Sequence, residues 1–384
     1  MAISVSRVLI APDKFKGSLT ASAVAAAVSA GLRCVVPDVD IRETPVADGG
    51  DGTVEAALSA GYDRVPVRVS GPTGEPVDTA YAVRDGVAVV EMADACGLVR
   101  LPGGRLEALT ASSFGLGEVV RAALDSGCRQ VVLGIGGSAS TDGGAGMLAA
   151  LGVRFLDAAG AELPLGGAAL SDLERVDLTD LHPALARVEV VVASDVDNPL
   201  LGPRGAAAVY GPQKGAGPAD VEVLDAALAR LASRLAAAPG DGVHPAAERP
   251  GAGAAGGVGF GALAVLGATV RPGIELLLEL TGFHAELAAA SLVVTGEGSL
   301  DTQTLAGKAP AGVAAAARAR GVPVVAVAGR CLLSPEELAG AGFRAAYALT
   351  DIEPDPATCM AEAAPLLTRL SERLARDWLL GTRT

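Results

Sequence analysis

Aromatic side chains are almost missing from this chain: they make up 3% of its 384 residues, with a single Trp. The interior cannot be built on rings. It falls to Ala, Val and Leu, which with 50 glycines suits helices packed closely on a sheet through tight turns. Basic charge is also short, at 30 Lys and Arg against 44 Asp and Glu. The net charge of −14 argues against nucleic acid or an anionic membrane as partner, yet leaves room for a small anion held by a few local lysines. Cysteine is sparse. Cys34, Cys96, Cys128, Cys331 and Cys359 are odd in number and scattered, with no C-x-x-C pair, so neither a disulfide framework nor a zinc site is expected, and a reducing, cytoplasmic setting is. No apolar run reaches membrane-spanning length before Gly, Pro or a charge interrupts it. Met1 to Arg7 carry no charged segment followed by an apolar one, so no signal peptide is expected. A Walker A loop is absent too: the glycine upstream of Gly307-Lys308 is too far away, and Ala309 stands where Ser or Thr is required.

What the chain has in abundance is glycine at the ends of apolar strands. Gln130–Leu133 reads as a buried strand and Met147–Leu151 as a helix, with GIGGSASTDGGAG (134–146) between them. A strand breaking into a glycine-rich turn and then a helix gathers backbone N–H groups at the positive end of a helix dipole, which suits an anion. The backbone of Gly136 and Gly137, the hydroxyls of Ser138, Ser140 and Thr141, and the carboxylate of Asp142 are the groups on offer, so the stretch reads as a phosphate loop. The same residues also satisfy G-x-G-x-x-A, with Asp157 near the distance expected of a ribose-binding acid, so a dinucleotide site is the rival reading. A purely structural glycine loop is the third.

The length favours two domains. Arg7–Ala11 reads as a parallel strand, and Lys14, Lys16 and Ser18 stand at the mouth of the turn into a helix from Ala21, with Thr20 or Ser18 as its cap. Val39–Val46 is a second strand, ending in a turn where Asp48 and Asp51 bracket two glycines and can hold a cation or substrate hydroxyls. From Arg64 the pattern alternates, with a hairpin at Arg84-Asp85-Gly86, so a domain boundary falls near Gly71. Leu109–Gly127 reads as a helix, Val153–Leu163 as a hairpin, and Arg187–Ala193 as a strand that ends at Asp195. Lys214 lies beside Gly-Pro turns within reach of a phosphate or carboxylate. GAGAAG (251–256) follows no strand, and reads as a loop or a glycine-rich helix start rather than a second fingerprint. From Ser291 the strand–turn–helix alternation returns through Gly296–Asp301 and Lys308.

Five stretches carry a resemblance: APDKFKGSLTA (11–21), VADGGDGT (46–53), GIGGSASTDGGAGMLAALG (134–152), ASDVDNPLLGPRGAAAVYGPQKGA (193–216) and TGEGSLDTQTLAGKAP (295–310). In this order they are similar to the bacterial glycerate kinases of glyoxylate and sugar-acid breakdown, with Ser140 where relatives often carry Thr. The resemblance implies ATP-dependent phosphorylation of D-glycerate with Mg2+, to 2-phosphoglycerate in preference to 3-phosphoglycerate. It also implies an α/β fold: a Rossmann-like, doubly wound parallel-sheet domain (1–71 and 291–384) interrupted by an inserted mixed α/β domain (72–290), with the active site in the cleft between them. On this reading Asp195 takes the hydroxyl proton, and Lys14, Lys16, Ser18 and the backbone of the 136–141 loop contact phosphate, with Lys214 and Lys308 as further phosphate lysines. Asp48, Asp51, Asn198, Glu297, Ser299 and Gln303 line the substrate, and Asp301 and Asp142 are the Mg2+ candidates. A monomer or homodimer without nucleic acid or membrane is expected. Two other classes stay open: an NAD-dependent dehydrogenase on 134–139 with Asp157, and a sugar-acid sensor that binds without turnover.

Overall fold

The computed structural model of the protein describes residues 7–238 and 243–380. The opening segment Met1–Ser6, on which the expectation of no signal peptide rests, lies outside the described residues. In chain order the strands are β1 (Arg7–Ile10), β2 (Asp40–Glu43), β3 (Asp63–Ser70), β4 (Pro76–Arg84), β5 (Val87–Glu91), β6 (Gln130–Gly134), β7 (Arg154–Leu156), β8 (Arg175–Asp177), β9 (Glu189–Ala193), β10 (Thr269–Arg271), β11 (Leu292–Leu300), β12 (Val324–Cys331) and β13 (Phe343–Ala348). The chain divides into two compact units, one of Met1–Asp48, Glu55–Gly61 and Ile274–Thr384, the other of Gly49–Val54 and Tyr62–Gly273.

The first unit is built on a parallel sheet in the order β13-β12-β11-β1-β2. Val8, Leu9 and Ile10 are all buried, as a strand covered by helices on both faces requires. Val8, Ile10, Leu292 and Val294 pack on the helices Ala21–Val35 and Ala363–Trp378, whereas Leu9, Ala11 and Val293 face the helix Ala309–Ala319 together with Phe283 and Leu287. This is the doubly wound parallel sheet the sequence predicts. Thr20 caps the first helix by accepting from the Ala23 amide at 3.2 Å. Small residues let the helices approach closely: a Cβ on Gly31 would sit 2.2 Å from the Thr368 carbonyl oxygen on the neighbouring helix.

The second unit carries a mixed sheet in the order β10-β9-β6-β5-β4-β3, parallel from β10 to β5 and antiparallel from β5 to β3. The β4–β5 turn places Asp85 at φ 52° and Gly86 at φ 79°, the paired left-handed residues that a tight hairpin needs. β3 pairs with β4 from Asp63–Val83 to Ser70–Pro76, so this strand belongs with the residues after Gly71 rather than before it. At the other end Ile274, Leu278, Phe283 and Leu287 pack with Leu9 and Val293, so the first unit resumes before Ser291.

Three local expectations change. The helix after residue 109 begins only at Phe114, because the Ser113 amide and hydroxyl are held by Asp142. The 153–163 segment turns tightly, but β7 takes β8 as its strand partner. GAGAAG opens the helix Ala254–Val265, with Ala255, Gly256 and Gly257 in the left-handed region. Among the described residues no helix is long and apolar enough to cross a membrane.

Candidate active site

In the first unit the chain leaves β1 for β2 on one side and leaves β11 for β12 on the other, so the carboxyl ends of β1 and β11 form the point where the strand order reverses. Such a reversal point is the usual ligand position of open parallel sheets. The Asp13 amide donates to the Gly296 carbonyl at 2.8 Å, which pins the end of β1 to β11. Asp13 is 8% exposed, and its Oδ1 accepts from the Lys14 amide at 2.7 Å. Burial pushes its pKa up to about 7. Lys14 pulls it down, and the Asp48 and Glu297 carboxylates push it further up.

Glu297 is buried on the same edge. Thr304 Oγ1 donates to its Oε1 and Lys308 Nζ to its Oε2 at 3.3 Å. Burial raises its pKa against the pull of both partners. One step along β11, Ser299 Oγ accepts from Arg330 Nε at 3.0 Å and lies 3.3 Å from Asp301 Oδ2, while Asp301 Oδ1 accepts from the Gln303 amide at 2.9 Å. Thus Asp13, Lys14, Asp48, Glu297, Ser299, Asp301 and Lys308 gather at one sheet edge, joined by Thr304 and Arg330, which the sequence reading does not single out. Lys16 and Gln303 are exposed on the flanking turns. Ser18 is otherwise engaged, its hydroxyl donating to the Met360 carbonyl at 2.7 Å.

The glycine loop of the second unit is turned inward. From Ile135 to Leu148 only Gly136 and Gly137 reach the surface. Asp142 is fully buried: its Oδ2 accepts from the Ser113 amide and hydroxyl, both at 2.8 Å, and from the Gly146 amide at 3.2 Å, while Oδ1 accepts from the Gly144 amide at 3.1 Å. The amides that would greet a phosphate at the helix Ala145–Ala150 are therefore held by the loop's own carboxylate, and Asp142 has no place as a Mg2+ ligand. Lys214 is 1% exposed and donates from Nζ to Ser138 Oγ at 2.8 Å and to the Ser140 carbonyl. Burial brings its pKa down to about 7, with Asp142 pulling the other way. It is a buried strut and not a phosphate lysine. Thr141 is likewise sealed inside, its hydroxyl without a partner among the described residues.

The glycines answer to backbone neighbours rather than to a ligand. Gly136 donates to the Gly49 carbonyl at 3.3 Å, and a Cβ on it would meet Gly50 Cα at 2.6 Å. The Gly137 carbonyl accepts from the Leu98 amide at 2.9 Å. The dinucleotide reading falls with the loop, since Asp157 caps its own turn by accepting from the Ala159 and Ala161 amides at 2.8 and 2.9 Å. Glu91, which carries no sequence signal, accepts from the amides of Gly52 and Val54 at 3.1 and 3.0 Å and fixes the turn that holds Asp51; burial pushes its pKa to about 7. Asp195 is exposed at the end of β9 and accepts from the Gly273 amide at 2.9 Å. Asn198 is engaged at both ends of its amide, donating to the Arg204 carbonyl and accepting from Tyr210 OH.

A Mg2+ ion bound with nucleotide asks for one or two carboxylates and supplies the rest of its shell from water and phosphate. Asp301, half-buried with each oxygen in a single hydrogen bond, fits that demand, and Asp142 does not. Among the described residues no three His, Cys, Asp or Glu side chains gather into a self-sufficient metal cage.

The sequence model of the glycerate kinase family matches residues 8–379 of the chain. A glycerate kinase of Halalkalibacterium halodurans is 45% identical over 90% of this chain and 91% of its own length. A glycerate 2-kinase of Escherichia coli is 43% identical, with 84% of this chain and 85% of that one covered. A solved structure of a protein described as a glycerate kinase 2 of Salmonella typhimurium LT2 superposes with a TM-score of 0.84 at 39% identity, covering 99% of this chain and 100% of that one.

Proposed function

Since this chain belongs to the glycerate kinase family, and is a phosphotransferase acting on an alcohol group, we propose that it moves the γ-phosphoryl group of ATP onto the 2-hydroxyl of D-glycerate. The observation that carries the reading is the edge of the first unit, where lysines and carboxylates meet at the point of strand reversal. The 2-position is supported by the name of the Escherichia coli relative. Phosphoryl transfer asks a protein for alignment and for neutralisation of spreading negative charge. Lys14, Lys16 and Lys308 are the cations assigned to the phosphates, and Asp301 the carboxylate assigned to Mg2+. When bound, that ion neutralises part of the phosphate charge. Asp48, on the same edge, is the acceptor assigned to the substrate hydroxyls.

The test is ADP release by the purified chain in the presence of Mg2+, with and without D-glycerate, followed by phosphorus NMR of the product. The expected result is glycerate-dependent release and a phosphate on the 2-carbon. Release that ignores glycerate would remove the reading, and phosphate on the 3-carbon would correct its position.

A further inference from the structure

We infer that Asp13, at the end of β1, is the group that takes the proton from the attacking substrate hydroxyl. The inference rests on the reaction given above and assigns a role that the sequence reading gives to Asp195.

Three observations carry it. First, Asp13 stands at the strand reversal itself, tied by its amide to the Gly296 carbonyl of β11. Second, its two oxygens are unlike. Oδ1 is anchored by the Lys14 amide, while Oδ2 has no hydrogen-bond partner among the described residues, and the residue keeps 8% of its surface open. A proton acceptor needs this arrangement, with one oxygen fixing the carboxylate and the other free to receive. Glu297, the other buried carboxylate of the edge, has both oxygens engaged by Thr304 and Lys308. Third, the surroundings penalise a second negative charge. Facing Asp13 are Lys14 from its own turn, Asp48 from the turn after β2, and Glu297 from β11, itself beside Lys308 and Asp301. Burial and two like charges outweigh one lysine, so the carboxyl titrates near neutrality, where a base works best. Asp195, exposed and bonded to the Gly273 amide, has no such enclosure.

In the step, the substrate oxygen forms a bond to the γ-phosphorus, and the bond from that phosphorus to the β–γ bridging oxygen breaks. The bridging oxygen leaves with the electron pair as part of ADP. The hydroxyl proton passes to Asp13 Oδ2 and is released to water before the next turnover.

The experiment measures kcat and KM across the pH range for the full-length wild type and for Asp13→Asn, Asp195→Asn and Glu297→Gln, with thermal melts of each. The wild-type kcat is expected to fall on the acid side with a midpoint near 7. Asp13→Asn keeps an acceptor for the Lys14 amide. It is expected to lose roughly 10²–10⁴ in kcat with little change in either KM, and to lose the acid limb. Glu297→Gln removes one like charge and is expected to shift that limb to lower pH, a change that a merely structural role for Asp13 would not produce. Asp195→Asn is expected to keep the acid limb. A wild-type profile without an acid limb near neutrality overturns the assignment even if Asp13→Asn fails to fold. So does an Asp13→Asn enzyme that retains both rate and limb. A wild type that never phosphorylates glycerate instead removes the underlying reaction.

Discussion

Single residues decide how the two glycine-rich turns differ. Asp142 looks from sequence like a carboxylate beside a phosphate loop, yet its four donors make it the loop's internal anchor. Asp142→Ala would strand those donors in the interior and should lower stability in denaturant unfolding by about 3 kcal/mol or more. Enzyme that still folds should keep its KM for ATP and glycerate, whereas a ligand-contacting role predicts a KM effect at near-normal stability. Lys214 makes a companion prediction. Its folded pKa of about 7 lies below the ordinary 10.5, so the charged form is disfavoured in the fold. The penalty is full below pH 7 and is relieved as pH rises from 7 toward 10.5. Lys214→Met should flatten that rise in melting temperature, and an unchanged slope would show that another group is responsible. Neither burial is legible in the residues themselves. Asp13 escaped for a related reason: an aspartate after a strand reads as a turn residue, and its enclosure depends on β11, which lies far along the chain.

At the scale of elements the sequence is more informative. Strand–turn–helix alternation marks the parallel sheet of the first unit, because apolar runs buried on both faces leave no other reading for Arg7–Ala11 or Leu292–Val294. What it misses are causes that lie in a neighbour. Glycines at 134 and 136 suit a ligand and suit a backbone equally, and only the packing of the Gly49-Gly50 turn on them decides. Arg330 comes beside Ser299 because β12 continues to Cys331 alongside β11, which continues to Leu300. The close helix pair Ala21–Val35 and Ala363–Trp378 gives a clean test of element packing. Gly31→Ala would drive a methyl against the Thr368 carbonyl, and should cost about 1–3 kcal/mol of stability while leaving kcat untouched. A neutral effect on melting would mean that the two helices part without resistance.

For the whole molecule, the charge of −14 sets a demand on the proposed reaction: its polyanionic donor is to be met by local cations and by the proposed Mg2+. Chelation with EDTA should abolish glycerate-dependent ADP release, and added Mg2+ should restore it; release that survives chelation would leave Asp301 without its assigned partner. The most direct measurement is a crystal structure with a non-hydrolysable ATP analogue, Mg2+ and D-glycerate. The γ-phosphate is expected at the carboxyl ends of β1 and β11, within about 3 Å of Lys14 or Lys308, with a glycerate hydroxyl at the same distance from Asp13. A triphosphate seated instead on the 134–146 loop would contradict the assignment of catalysis to that sheet edge.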